Sequence, residues 1–285
     1  LFLQNLVNGI FVGAMYGLTA SGLSLIFGVL NIVNFAHGEF IMIGMYITYF
    51  AGALLGVNPI LSVLISVPVM LILGVLVERF LINRIINSSD MAQIFLTVGL
   101  GLVLSNLALI FIGGNYYSVR VGYATESLKL GSLLIGKASF LTFIVTVITF
   151  IVVSMMLKYT FIGKAIRATS QDRTTAQLMG VNTGFIYTVA FGLGMVLVAI
   201  SAALLTIMFP VYPNIGNHFV VICFVIVVLG GLGSLPGALV GGVIVGVIEI
   251  LCGYYFSMGW KDVVPFLVLI ICLLVRPQGI FGTRT

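Results

Sequence analysis

Four polar side chains interrupt an apolar run that extends from Leu6 to Leu55: Asn31, Asn34, His37 and Glu39. Together they offer amide hydrogen bonds, an imidazole that titrates near neutrality and a carboxylate. An ionised carboxylate near the centre of a bilayer costs roughly 2.5–3.5 kcal/mol on insertion scales, so Glu39 requires water, a partner or a shallow position. Three arrangements meet that requirement. Residues 31–37 can be a cytoplasmic turn eased by Gly38, with Glu39 near the headgroups. They can be a break between half-helices inside the protein, where freed backbone groups line an aqueous path. Thirdly, His37 and Glu39 can shuttle protons. Spacing favours the break, because Asn31, Asn34 and His37 would share one face if the segment coiled, and the stretch lacks the Lys or Arg usual in a cytoplasmic loop. The proton reading lacks a second cluster of buried ionisable groups.

Glu249 meets the same objection to burial. Backbone or amide donors between helices would satisfy it; a place on a solute pathway is the alternative. Glu78 beside Arg79 reads as an interfacial ion pair, and His218 beside Asn217 as a loop residue. No nucleophile, base and metal ligands cluster as an enzyme site would require. Cys223, Cys252 and Cys272 lie in apolar runs without a Cys-x-x-Cys pair, which supports neither a metal site nor a disulfide framework.

Two glycine motifs mimic nucleotide sites. Gly131 to Ala138, GSLLIGKA, approximates the phosphate loop, but Ala138 stands where a magnesium-holding hydroxyl belongs. Gly230, Gly231 and Gly233 follow an apolar run as in a dinucleotide turn, yet the third glycine is displaced by one and apolar spans flank both sides. A tight turn between membrane helices fits better. The chain is therefore expected to bind no cofactor, and ATP and magnesium, if used, belong to partner subunits.

The elements that must position these residues are membrane helices. The sequence is 61% hydrophobic and 7% charged, too few charges to solvate a folded surface, and its long apolar runs suit helices where a barrel would show short alternating segments. A spanning helix needs roughly 20 apolar residues. That template fits at 6–30, 38–55, 60–78, 93–113, 139–157, 183–207, 219–233, 237–256 and 263–275. The last three are short, and one or two of them can be half-helices or tilted pieces. The fold expected is an all-α integral membrane protein, a polytopic bundle of eight or nine spans in one domain over residues 1–285.

The net charge of +5 reflects orientation and not nucleic-acid binding. Arg79, Arg84, Lys158, Lys164, Arg167, Arg173, Arg276 and Arg284 fall on one side, and Arg120, Lys129, Lys137 and Lys261 on the other. The richer side should be cytoplasmic, which puts the amino end outside and the carboxyl end inside. Residues 114–138 then form the largest external loop, with Tyr116, Tyr117 and Tyr123 as interface anchors and a surface for an external partner. Glycines at positions 9, 13 and 17, followed by Ser21, and the pairs Gly237/Gly241 and Gly242/Gly246 mark faces that other helices can approach closely, one of them a candidate permease–permease interface. Residues 28–44 and 230–246 echo one another as an apolar run, a break and a second run, as in a parallel repeat.

The long basic interval 158–182 contains a capped helix: Asp172 suits the N-cap and Gly180 the C′ position of Arg173–Met179. Seven residues are too few to stay helical alone in water. The element must dock against something, with Ala176, Leu178 and Met179 as apolar contacts and Arg167, Asp172 and Arg173 as polar ones. A solvated loop is the plainer alternative.

Three stretches give a family resemblance: Gly22 to Glu39, GLSLIFGVLNIVNFAHGE; Gly163 to Asn182; and Gly230 to Ala238 together with Glu249. The chain resembles the LivH-type permease subunits of branched-chain amino acid ABC importers over nearly its whole length. The resemblance implies a multi-pass protein of a bacterial or archaeal inner membrane. It also implies a coupling role for Asp172 to Gly180 in an ATPase groove, and as partners a LivM-like second permease, two ATPase subunits and an external solute-binding protein. Relatives for urea and short amides leave the solute open among small polar molecules, with aliphatic amino acids foremost. The competing reading is a stand-alone secondary transporter or channel for urea-like solutes, which would act without ATP.

Overall fold

The computed structural model describes residues 2–119, 121–124, 126–130, 133–257, 259, 263–276 and 278–282. Arg120, Lys261 and Arg284 of the charge pattern, and Gly131 of the first glycine motif, lie outside the described residues.

The described residues are mostly helical, with one small hairpin. Among them seven helices are long and apolar enough to cross a membrane: α1 (Phe2–Leu30), α2 (His37–Leu55), α3 (Val63–Ile85), α4 (Asp90–Ile112), α5 (Lys137–Tyr159), α8 (Thr183–Met208) and α10 (Leu235–Tyr255). Two shorter apolar helices, α9 (Ile215–Gly230) and α11 (Val264–Val275), complete the bundle. Between α5 and α8 the chain forms α6 (Phe161–Gln171) and α7 (Arg173–Leu178). Strands β1 (Ser127–Leu130) and β2 (Leu133–Gly136) pair antiparallel, with Leu128 opposite Ile135.

α1 is the central staff. It is apolar on all sides, and a helix of that kind is stable only where it is covered all round. Its residues from Gly13 to Ile26 are buried, while the equally apolar α4 exposes Phe95, Leu102, Ile110 and Phe111 as a peripheral span would to lipid tails. The glycine stripe of α1 packs on Gly242 and Gly246 of α10, and Gly237 and Gly241 pack on Gly230 and Ile226 of α9. A Cβ on Gly13 would strike Gly242 and Val243, and one on Gly246 would strike Gly13 and Gly9. Small-residue packing lets the two backbones touch. Neither stripe is left for a permease–permease contact, which corrects that expectation.

Both ends of the bundle are defined by contacts. At one end Arg173 Nη1 donates to Asn87 Oδ1 after α3 (3.0 Å), Gly28 of α1 packs on Gly233, and residues 280–281 bond back to Leu229 and Gly230. Arg84, Lys158, Lys164, Arg167, Arg173 and Arg276 gather at this basic end. At the opposite end Gln4 brackets Leu134 of the hairpin, and the Tyr123 hydroxyl donates to Asn58 Oδ1 (2.8 Å). Tyr117 forms a bridge with Val211. Two of these tyrosines thus clamp the loop onto the bundle, and Tyr116 stays exposed. The hairpin in 114–138 is absent from the sequence reading, because four-residue strands are too short to show alternation.

The Gly230–Gly233 stretch is the expected turn. Gly231 and Gly233 hold φ of 98° and 82°, in the left-handed region open to glycine, and Ser234 then caps α10 by accepting from Gly237 N (3.1 Å). It lies at the basic end, where Gly233 packs on Gly28 of α1. The expected Glu78–Arg79 ion pair is also corrected. Glu78 is fully buried and its Oε2 accepts from Thr188 Oγ1 of α8 (2.6 Å), while Arg79 stays exposed at the start of a π-helical turn over Glu78–Ile82.

Candidate functional site

The polar break begins where α1 ends. Asn31 takes the left-handed conformation, φ 54°, which amide side chains tolerate, and closes the last turn by donating its N–H to Phe27 O (2.8 Å). Residues 32–36 are not helical. The hydroxyl of Thr97, about 10 Å along α4, lies 3.3 Å from Val33 O, and His37 Nε2 donates to Thr19 O (3.1 Å), about 16 Å back from the end of α1. The chain therefore turns back into the bundle and α2 starts inside it. This geometry matches the half-helix break and not the cytoplasmic turn.

Each polar residue then has a definite place. Asn34 Oδ1 accepts from Ala36 N (3.1 Å) and its carbonyl from His37 N (3.2 Å), which nucleates α2. Asn34, His37 and Glu39 are buried, whereas Asn31 is exposed, so the shared helical face expected for Asn31, Asn34 and His37 does not form. Glu39 sits in the first turn of α2, where the helix dipole favours a carboxylate, and its Oε2 would be 3.2 Å from a Cβ placed on Gly101. Among the described residues no hydrogen bond joins His37 to Glu39, since residues two apart on a helix do not face each other.

A second break enters from the opposite end. After α8, Pro210 and Pro213 exclude regular helix, and α9 begins at Ile215. Its first turn crosses that of α2 glycine on glycine: a Cβ on Gly38 would overlap Gly216 O, and one on Gly216 would sit 2.8 Å from Gly38 C. Below the crossing, the rings of Phe35 and Phe224 pack 4.9 Å apart. Beside it lies a cavity of about 130 Å3 lined by Asn217, His218, Val221, Ile222, Glu249, Pro265 and Phe266. Glu249 is only 1% exposed, and the Tyr16 hydroxyl of α1 lies 3.4 Å from its Oε1.

At the basic end the interval 158–182 is structured throughout. Thr160 caps α6 by accepting from Gly163 N (3.1 Å); Gly163 lies against the backbone of Leu157, and Ala165, Ile166 and Thr169 face inward. Asp172 Oδ1 accepts from Thr174 N (2.8 Å) and Thr175 N (3.0 Å), and Gly180 closes α7 with φ 85°. The Thr175 hydroxyl, donating to Asp172 Oδ2 (2.6 Å), is the main reason the carboxyl is held below the usual carboxylate range. Leu178 and Met179 are 83% and 81% exposed, whereas Ala176 is 4% exposed and packs within the chain. Arg173 is tied to Asn87 and lies over the Tyr187 ring at 5.3 Å, so it anchors the knob, while Arg167 donates to Lys158 O (3.2 Å).

Comparison with known proteins places this architecture. The family described as "Branched-chain amino acid transport system / permease component" matches residues 5–273. The chain belongs to that family. The permease LivH of Salmonella typhimurium is 33% identical over 99% of this chain and 96% of its own length, and BraD of Pseudomonas aeruginosa is 31% identical over the same shares. A probable LivH of Methanocaldococcus jannaschii is 28% identical over 93% and 88%. In fold, the chain is similar to one in PsaBC from Streptococcus pneumoniae, solved in complex with Fab, with TM-score 0.51 and 15% identity over 98% and 94% of the two chains.

This member of the family is a multi-pass membrane protein whose sequence exposed one of its two breaks. The signal for the second was present in Pro210, Pro213 and Asn214, but the apolar template placed the helix start at 219 and left Asn217 and His218 in a loop. Helix α6 was missed for a different reason. Its inward face is Gly163, Ala165, Ile166 and Thr169, too small and mixed to register as an apolar stripe.

Proposed function

We propose that this permease is one half of the membrane domain of an ATP-driven importer of branched-chain or other aliphatic amino acids across the inner membrane. A second, LivM-like permease completes the path, two ATPase subunits hydrolyse ATP with magnesium, and an external binding protein delivers the solute. The observation that carries the reading is the α6–α7 knob, capped at both ends and presenting Leu178 and Met179 outward at the basic end. Exposed apolar side chains on a short, well-anchored helix suit a docking peg. The basic end is the cytoplasmic one by the distribution of Lys and Arg.

In this mechanism nucleotide binding draws the ATPases together and displaces α7. The displacement passes through α6, packed by Ile166 near Gly28 and Val29, to the end of α1 and the break that follows it. The bundle then alternates between outward and inward openings. Replacing Leu178 and Met179 by Asp should abolish uptake driven by ATP in liposomes containing the assembled transporter, with the purified complex still monodisperse. Full coupled uptake by that variant, or rapid uptake by this chain alone without ATP, would overturn the proposal; the second result would identify a stand-alone transporter.

A further inference from the structure

The cavity between α9, α10 and α11 combines a deep carboxylate with apolar walls. Glu249 is almost fully buried, His218 is half-buried and Asn217 exposed, which puts the carboxylate at depth and the imidazole and amide at the mouth. Val221 and Ile222 on one side and Pro265 and Phe266 on the other supply hydrocarbon surface. Along α10, Glu249 stands about 21 Å from the basic end and about 9 Å from Tyr255, within the outer third of a ~30 Å hydrocarbon core.

At that depth lipid tails could not satisfy the exposed amides of Asn214 and Asn217. This face must meet water or another subunit. The outer residues of α11, among them Ile271, Leu274 and Val275, are apolar and exposed, so the polar opening of this face is confined to the start of α9 at Asn214, Asn217 and His218.

We infer that this cavity is a solute station, taking a small molecule with a cationic end and a short hydrocarbon part. The inference rests on the importer reading and adds the residues that hold the solute. The Glu249 carboxylate, when ionised, is an acceptor only and receives an ammonium group. Tyr16 braces it from α1. Asn217 and His218 contact the solute at the mouth, and Val221, Ile222 and Phe266 cover its hydrocarbon. The cavity, about 130 Å3, is far above the ~10–15 Å3 that one water needs and accommodates a small ammonium compound with an aliphatic chain.

Charge-selective labelling tests the station. In the assembled transporter in liposomes, Asn217→Cys, combined with Cys252→Ser, is treated with membrane-impermeant thiosulfonates bearing either a trimethylammonium or a sulfonate group. The cationic reagent should react about tenfold faster, as expected for one nearby carboxylate in a partly wet site. Glu249→Gln should remove the preference and Glu249→Asp should keep it, and leucine uptake should fall about tenfold in Glu249→Gln and recover in Glu249→Asp. Failure of the Asn217→Cys variant to react with either reagent, a preference unchanged by Glu249→Gln, or undiminished uptake in Glu249→Gln would overturn the inference. The labelling preference needs neither ATP nor uptake, so it can fail while coupled uptake persists, and it can persist where coupling fails.

Discussion

The two breaks in the bundle reach the same point from opposite ends and differ in what surrounds them. Residues 31–36 rise from the basic end into α2, and residues 209–214 descend from the other end into α9, the two helices meeting where Gly38 lies on Gly216. In the first break Asn34, His37 and Glu39 are buried, and their bonds run to neighbouring backbone such as Thr19 and Ala36. In the second, Asn214 and Asn217 are exposed and His218 is half-buried. Interrupted helices in a membrane are tolerated where protein or water satisfies the freed groups. In the first break the protein satisfies Asn34 Oδ1 and His37 Nε2 but leaves Asn34 Nδ2 and His37 Nδ1 buried without a hydrogen-bond partner among the described residues, whereas the second break turns its amides outward.

The shared crossing is where the comparison breaks most severely. Gly216→Val would drive side-chain atoms into the Gly38 backbone, and helix backbones cannot give way as a flexible side chain can. We expect a loss of about 3 kcal/mol, at the upper part of the overpacking range. It would be measured as a fall in thermal unfolding midpoint of the detergent-purified complex, or as failure to assemble. A stable variant would mean that the two first turns do not touch.

The two breaks should then separate by stability. His37→Ala removes a buried ring together with its bond to Thr19 O and leaves a cavity, an effect of about 2 kcal/mol. Asn217→Ala removes an exposed amide and should change stability by no more than about 0.5 kcal/mol. Comparable losses in thermal scans would erase the distinction between a buried and an exposed break.

How much of this was legible depended on the length scale of the signal. The apolar runs located the long helices to within about four residues at each end except for α3, which continues seven residues past 78 to Ile85, and Asp172 and Gly180 marked α7 because capping uses particular residue types at fixed offsets. Asn34, His37 and Glu39 stood out because polar groups are rare in such runs. What they do was not legible: His37 bonds to Thr19, eighteen positions earlier, and Glu39 meets Gly101 on a helix whose packing no local pattern encodes. The glycine stripes were visible but their partner was not, since spacing shows that a face is flat and does not show what covers it. Glu78 went astray because its partner, Thr188, lies 110 positions away on α8 and no local pattern encodes that contact.

The knob provides a control outside both breaks. Asp172→Ala should speed amide exchange at Thr174 and Thr175 while leaving exchange in α1 and α2 unchanged. Because the folded carboxyl titrates below its ordinary value of 3.8, its contribution is present above that value and is lost as pH falls through the depressed one. Exchange measured downward from pH 5 should therefore show α7 protected until the solution is more acidic than the ordinary aspartate range. Loss of protection at higher pH would show that the Thr175 hydroxyl does not hold the charged form.

The smallest expected effect probes the buried break from its neighbour. Gly99 and Gly101 are two residues apart on α4, yet a Cβ on Gly99 meets nothing within 4 Å, whereas one on Gly101 lies 3.2 Å from Glu39 Oε2. In a helix interior alanine is favoured over glycine by about 0.5–1 kcal/mol. Gly99→Ala should realise that gain as a slightly higher unfolding midpoint. At Gly101 the same gain is offset by displacing a buried carboxylate that has little room to move, and the net change should be zero or a loss of about 1 kcal/mol. Pairing Gly101→Ala with the shorter Glu39→Asp should recover part of the loss, because the methyl and the carboxylate compete for one space. Equal gains at both glycines would show that Glu39 does not lie against α4, and the first break would then need another account of how its carboxylate is held.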